Sequence, residues 1–273
     1  MTAVVEYNKN GGIKVSKPNR GQRVLKGLLI GSAIFTVIGF FIMNYTGLDL
    51  SHAIPMTIDN LGQMFLSPSL NNTTWPNALW QVTITLSLAF LATVLGAVIS
   101  LFLAFGTAVN LSKPWVSNTI KAFITVVRAV PTVLWVLIFA IAAGLGAVAA
   151  VIGMVFHSVA YLVKAYSEAF EEVDEGKIEA LRATGSSYPH ILFQVVVPQT
   201  KSFLISWTFL RFEINFGVAV AMGAAAGAGG IGYELFMASS FYYDMQEVGA
   251  ITLIILVVAI ILELIANRLK VAA

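Results

Sequence analysis

The sequence predicts an all-α integral membrane protein of about six transmembrane helices with both termini in the cytoplasm, and three observations carry that expectation. Hydrophobic residues make up 58% of the 273 positions and charged residues only 11%, with a mean hydropathy of +0.84, more apolar surface than a soluble fold of this length can bury. The apolar residues gather into runs long enough to cross roughly 30 Å of hydrocarbon at about 1.5 Å per residue. Lysine and arginine then alternate in density between successive connections. The net charge of +2 is too small to imply a nucleic-acid partner, and the absence of cysteine excludes disulfide and thiol chemistry.

The runs are 25–44, 79–107, 118–142, 145–163, 200–225 and 248–267. Backbone groups in hydrocarbon need internal partners, so each is expected to be a helix, and the short alternating segments of a barrel are missing. The first follows a polar, basic lead, 1–24, and no small-residue cleavage site follows it, so it reads as a retained span and not a signal peptide. Residues 49–77 mix apolar and polar positions around Pro55, Pro68 and Pro76, with an interfacial helix expected over 56–66. The membrane-embedded body is then 25–273, interrupted by a charged island at 168–199.

Orientation follows from the cations. Lys9, Lys14, Lys17, Arg20, Arg23 and Lys26 surround the start of the first run; Lys113 and Lys121, then Lys164, Lys177, Arg182 and Lys201, then Arg268 and Lys270 mark further connections. Residues 45–78, 143–144 and 223–247 hold no Lys or Arg but do hold Asp49, Asp59, Glu234, Asp244 and Glu247. The positive-inside rule therefore places both termini and the island in the cytoplasm.

The island reads as two short helices. Residues 167–182 are rich in Glu, Lys and Ala and extend the fourth helix, with a break expected at Gly176. Glu179 and Arg182 stand at i and i+3, Gly185 occupies the place of a left-handed C-terminal cap, and Ser186 or Ser187 starts a second helix with Pro189 in its first turn. That second helix is expected to end near Pro198. The result is a compact knob on the cytoplasmic face.

Glu179-Ala180-Leu181, three residues, Gly185, nine residues and Val195-x-Val197-Pro198 resemble the EAA loop of permease subunits of bacterial ABC importers. Leu181 departs from the second alanine of that motif. The resemblance extends to the phosphonate permease branch through Thr83-Ile84-Thr85-Leu86, Arg128-Ala129-Val130-Pro131, residues 168–183, Arg211-Phe212-Glu213-Ile214-Asn215 and Gly227-Ala228-Gly229-Gly230-Ile231-Gly232, whereas the first 70 residues are generic. Gly217 departs from it, standing where a basic residue is expected.

What the resemblance implies is a type I ABC importer permease fold in a bacterial inner membrane, translocating phosphonate, phosphate, phosphite or another small solute. ATP and Mg would be bound by two copies of a partner ATPase, docked through Glu179, Ala180, Arg182, Gly185 and Pro198. A second copy of the permease and an extracytoplasmic solute-binding protein complete the implied assembly. An ATP-independent secondary transporter is the competing class, but such proteins place several ionisable groups near the midplane or show inverted repeats, and neither pattern is evident.

Within the spans, Arg211 and Glu213 are charges in hydrocarbon, which usually face a bundle interior or a water-filled path. Two residues apart, they cannot face one another. Arg211, Glu213, Asn215, Gly229, Gly230 and Arg128 are the candidates for the translocation path or its gate; for Arg211 and Glu213 the alternative is a structural ion pair with another helix or subunit. Arg128 is near enough to the cytoplasmic end to snorkel, and Pro131 beside it is expected to shape a kink. Gly227-x-Gly229-x-x-Gly232 lacks the preceding strand of a dinucleotide site and is expected instead, with residues 224–237, to re-enter or line the outer mouth. His52, His157 and His190 have no companions at metal-ligand spacing, and His157 is expected to hydrogen-bond a neighbouring helix. With no nucleophile and base cluster and no phosphate-binding loop, the chain carries no catalytic site of its own.

Overall fold

The structure is a computed structural model that describes residues 20–43, 47 and 49–272. Of the lead, residues 1–19 lie outside the described residues. The described chain is helical with short connections and no strand, as backbone without water requires. Two compact units divide it, Met1–Met56 and Thr57–Ala273. The first contains α1, Arg20–Ile42, apolar and without a buried residue in its spanning window. It also contains the start of α2, Leu50–Leu66, which begins six residues earlier than the expected interfacial helix and carries Pro55 within it.

In the second unit α3, Trp75–Thr107, is capped by Thr74, whose side chain accepts from the Asn77 N–H, with Pro76 in the first turn. It lies beside α6, Ala147–Glu171, and the two run in the same direction. Ser100 donates to the Val159 carbonyl at 3.2 Å, and further along both helices Phe105 stacks on Phe170 at 5.1 Å. Close approach is possible because Gly96 faces Ser158, where a Cβ would come within 2.7 Å of the serine Cβ.

The returning helix of the bundle is α9, Val197–Ala226, antiparallel to α6: Asn215 meets Ser158 and Thr208 meets Tyr166. Last comes α11, Met245–Ala272, whose end reaches α9 again where Ser206 donates to the Leu269 carbonyl at 3.3 Å. Thus α3, α6 and α11 run one way and α9 the other, leaving a core of Leu88, Met154, Phe216 and Met222 between them.

Both ends of this bundle are tied by polar side chains. On the basic face the Val109 N–H donates to Glu171 at 3.1 Å and Asn110 donates to the Phe170 carbonyl at 2.8 Å. On the opposite, acidic face the Glu247 carboxylate, 2% exposed, accepts from the N–H groups of Asn72 and Thr73 at 3.2 and 2.8 Å.

The run expected as a third span is not one helix. It divides into α4, Pro114–Ala129, and α5, Thr132–Ala143, bent by 91° across Val130 and Pro131. Pro131 supplies no N–H and disfavours helical backbone at Val130, whose ψ is 123°. Gly153 of α6 receives α5 at this corner, where any Cβ would come within 2.6 Å of the Val136 nitrogen. Among the described residues five helices are long and apolar enough to cross a membrane, and six if the bent pair is one span.

After α6 come α7, Glu175–Ala183, and α8, Tyr188–Ile191, on the basic face. Two expectations fail here. The break after α6 falls at Glu172 and not at Gly176, because Asp174 caps α7 by accepting the Gly176 N–H at 2.9 Å. Nor does Pro198 end the second helix: α8 runs through a π-helical turn, Leu192–Val196, straight into α9. In that turn the Val197 N–H reaches back to the Leu192 carbonyl, so the ladder is widened immediately before the residue that cannot donate.

At its other end α9 stops at Ala226, and Gly227, Gly229 and Gly230 take positive φ of 61°, 78° and 78°. A short α10, Ile231–Met237, follows, then a π-helical turn, Ala238–Tyr242. Gly230 N–H donates to Gln81, Ile231 N–H to Thr85, and Asn77 to Glu234. Those contacts lie along the first turns of α3, while Gly232 faces Val220 of α9, where a Cβ would collide with the carbonyl oxygen, so the segment folds back on the end of α9.

Candidate functional site

Ile178 on α7 and Ile191 on α8 anchor the knob. Ile178 is fully buried in the cluster of Tyr166, Phe170, Leu192 and Leu204, which turns Glu179, Ala180 and Arg182 outward to solvent. Leu181 lies partly buried against the same cluster, so the larger side chain is accommodated where alanine was expected. Gly185 has φ +79°; its N–H donates to the Arg182 carbonyl at 3.0 Å and the next, of Ser186, to the Leu181 carbonyl at 3.2 Å. That pair of bonds is the Schellman arrangement, and it requires the left-handed residue.

Arg182 does not pair with Glu179 among the described residues; its guanidinium donates to the Asn110 carbonyl at 3.4 Å, fastening α7 to the turn after α3. Pro198 is exposed at the first turn of α9. Four of the five docking candidates therefore share one exposed knob, and Pro198 stands at its exit. Ile178 was not among the sequence candidates; its signal was a lone aliphatic residue between charged neighbours in a short helix.

The candidates for the path do not converge. Arg211 is 2% exposed and Asn215 fully buried, on the face of α9 toward α6. Ser158 Oγ accepts from Arg211 Nε at 3.1 Å and from Asn215 Nδ2 at 2.9 Å, and it donates to the Met154 carbonyl at 2.7 Å. Asn215 Nδ2 also donates to Thr93 Oγ1 at 2.8 Å. The guanidinium lies over the Tyr161 ring, 5.4 Å from its centroid, and its Nη2 is buried with no partner among the described residues.

Glu213 is only partly buried and pairs with no described residue. Gly217 is exposed, and a Cβ there would meet nothing within 4 Å. Gly229 and Gly230 belong to the turn against α3, remote from Arg211 in the bundle, and Arg128 is exposed in the last turn of α4.

Thr93 and Ser158 join the constellation without having been sequence candidates; single hydroxyls inside apolar runs were the only sign of them. The hydrogen bond expected of His157 is not made: its Nδ1 is buried and has no partner among the described residues. The residue as a whole is half-buried on α6. Among the described residues no cluster of His, Cys, Asp or Glu fits a metal ion.

With that geometry in place, known proteins can be set beside the chain. Residues 96–272 match the family model described as binding-protein-dependent transport system inner membrane component. The phosphite transport system permease protein PtxC of Stutzerimonas stutzeri is 35% identical over 187 residues, covering 68% of this chain and 67% of that one. The phosphate-import permease protein PhnE of Mycolicibacterium smegmatis is 36% identical over 176 residues, 64% of this chain but only 33% of its own length. Among solved structures, the inward-facing MetNI methionine ABC transporter superposes with a TM-score of 0.64 at 20% identity, covering 74% of this chain and 100% of the compared chain. That likeness is one of fold.

Proposed function

Because the chain belongs to the family of binding-protein-dependent transport system inner membrane components, in which it is an ABC importer permease, we propose that it translocates a small phosphorus oxyanion, phosphonate, phosphate or phosphite, driven by ATP on a separate subunit. The observation that carries the reading is the knob of α7 and α8: a Schellman-capped, solvent-facing pair of helices on the basic face, anchored by Ile178 and continuous through the π-helical turn with α9. A push on α8 is delivered through the π-helical turn and along α9 to Arg211 and Asn215. The oxyanion class is supported by relatives whose names specify phosphite and phosphate transport.

In this reading the basic face is cytoplasmic, the protein is a multi-pass component of the bacterial inner membrane, and two copies pair as a homodimer with two ATPase subunits. ATP and Mg are held by the ATPase, which docks on Glu179, Ala180, Arg182, Gly185 and Pro198, and a binding protein delivers solute to the acidic face. Arg211, Glu213, Asn215, Gly229, Gly230 and Arg128 lie along or beside the path. Glu213, without an ion-pair partner among the described residues of its own chain, is directed to the second copy or to water.

The test is purification of the tagged chain from its native membrane in mild detergent, with mass determination of the intact complex and ATPase assays in the presence of phosphonate, phosphate and phosphite. Two copies of this chain with two of an ATPase, stimulated by one of these anions through the binding protein, is the expected result. A stable complex without an ATPase that moves solute without ATP overturns it in favour of a secondary carrier.

A further inference from the structure

We infer that the groove between α4 and α6 on the basic half of the protein is an anion site whose receiving cation is Arg128 and whose ligand is a phosphorus oxyanion group. Its walls are two regular stripes. Lys121, Thr125 and Arg128 recur at spacings of four and three along α4, and Tyr161, Lys164, Glu168 and Glu171 recur at three, four and three along α6, so each set lies on one face of its helix. Between them open two cavities, of about 340 Å³ and about 120 Å³, that share Arg128, Lys164 and Glu168 in their linings. The larger has room for roughly ten water volumes, ample for a hydrated tetrahedral anion.

The charges leave one cation over. Lys121 pairs with Glu171 at 3.4 Å and Lys164 with Glu168 at 3.6 Å, which engages both carboxylates of the groove. Arg128 has neither a carboxylate nor a hydrogen-bond partner among the described residues. Its planar fork of donors is left free and suits a phosphoryl or phosphonyl group in two-point contact.

A snorkelling arginine on the lipid side would satisfy the same sequence position, but this one lines both cavities. The Tyr161 ring that borders the smaller cavity is also the ring beneath Arg211. The groove therefore runs from a mixed-charge mouth at Glu168 and Glu171 to Arg128.

The choice of a transported oxyanion as occupant rests on the proposed oxyanion importer; the anion site itself does not. A lipid headgroup offers the same phosphate chemistry, and the experiment separates the two sources. The natural chain has no cysteine, so Thr125→Cys places a single thiol in the groove and Thr119→Cys places one on an exposed position of the same helix. Each full-length variant, in nanodiscs of phosphatidylcholine, is labelled with anionic and cationic methanethiosulfonate reagents of similar size.

The expected result is a preference for the anionic reagent about tenfold greater at position 125 than at position 119, slowed by millimolar inorganic phosphate, abolished by Arg128→Gln and kept by Arg128→Lys. Because Arg128 makes no hydrogen bond among the described residues, the Gln variant leaves the fold intact, which its elution volume checks. Preference without phosphate protection, but suppressed in discs containing phosphatidylglycerol, upholds the site and overturns the free oxyanion as its occupant. Equal preference at both positions, unchanged by Arg128→Gln, overturns the proposal. If the intact complex proves not to be stimulated by any phosphorus oxyanion while the labelling pattern holds, the importer reading has failed in its solute and the anion site stands.

Discussion

Asn215 on α9 donates through Nδ2 to Thr93 Oγ1 on α3 at 2.8 Å, joining residues 122 positions apart in a place where neither can reach water. The same nitrogen reaches Ser158 on α6, so one carboxamide ties the three central helices. Asn215→Leu leaves the hydroxyls of Thr93 and Ser158 without this donor and is expected to destabilise the chain by about 1 kcal/mol. Reversible unfolding in mixed micelles measures it, and an unchanged midpoint would show that the hydroxyls find other partners freely.

Glu179→Lys reverses an exposed charge that makes no described hydrogen bond or ion pair. Thermal stability of the isolated chain is expected to change by less than about 0.5 kcal/mol, while the ATPase subunit no longer co-purifies and uptake is lost. Retained co-purification and uptake would remove the docking role from α7.

At Gly185 the surroundings are open, with nothing within 4 Å of where a methyl group would stand, but φ is +79°. Gly185→Ala is therefore strained by backbone alone, by about 1 kcal/mol. Hydrogen exchange should quicken over residues 175–191 and not in α3 or α6. Uniform quickening would mean that the cap stabilises the whole bundle.

Gly223 is a different case. A Cβ there would come within 2.7 Å of the Tyr233 nitrogen, 2.8 Å of the Gly229 oxygen and 2.9 Å of the Gly232 carbonyl carbon. All three are backbone, so no rotamer relieves the clash. Gly223→Ala is expected to cost about 2 kcal/mol or more, read as a lowered thermal midpoint; a neutral result would show that α10 shifts without penalty.

Asp244 gives the acidic face a pH dependence. Burial by itself would raise this carboxyl, but donation from the Asn71 side chain and from the backbone N–H groups of Glu247 and Gln246 outweighs it and holds the group below the ordinary carboxylate value. A lowered folded value means that the stabilisation is present above the ordinary carboxylate value and lost as pH falls through the folded one. The thermal midpoint should therefore drop below pH of about 4, and Asp244→Asn should flatten that part of the profile. Parallel profiles for the two proteins would count against it.

Much of the fold was legible in the sequence because run length, charge density and turn glycines are local quantities. Five of the six expected runs are continuous helices of the described chain, and Gly185 sits in the left-handed cap its position called for. The third run was legible in part: the kink expected at Pro131 is there, but its size, 91°, depends on Gly153 offering α5 a place to dock. Pro198 misled, since a π-helical turn lets a helix pass a proline that ordinary spacing would not.

By itself, then, the sequence determined that this chain spans a membrane, which face is basic, and that an exposed capped knob follows α6. Each is set by composition or by neighbours a few residues apart. Tertiary structure alone decided that Arg211 and Asn215 turn inward to Ser158 while Glu213 does not, and that Arg128 opens onto a groove shared with Lys164. Inside an apolar run every face of the helix is hydrophobic, so the pattern has a period but no phase. Only packing against helices 50 to 120 residues away in sequence chooses which side each polar group shows.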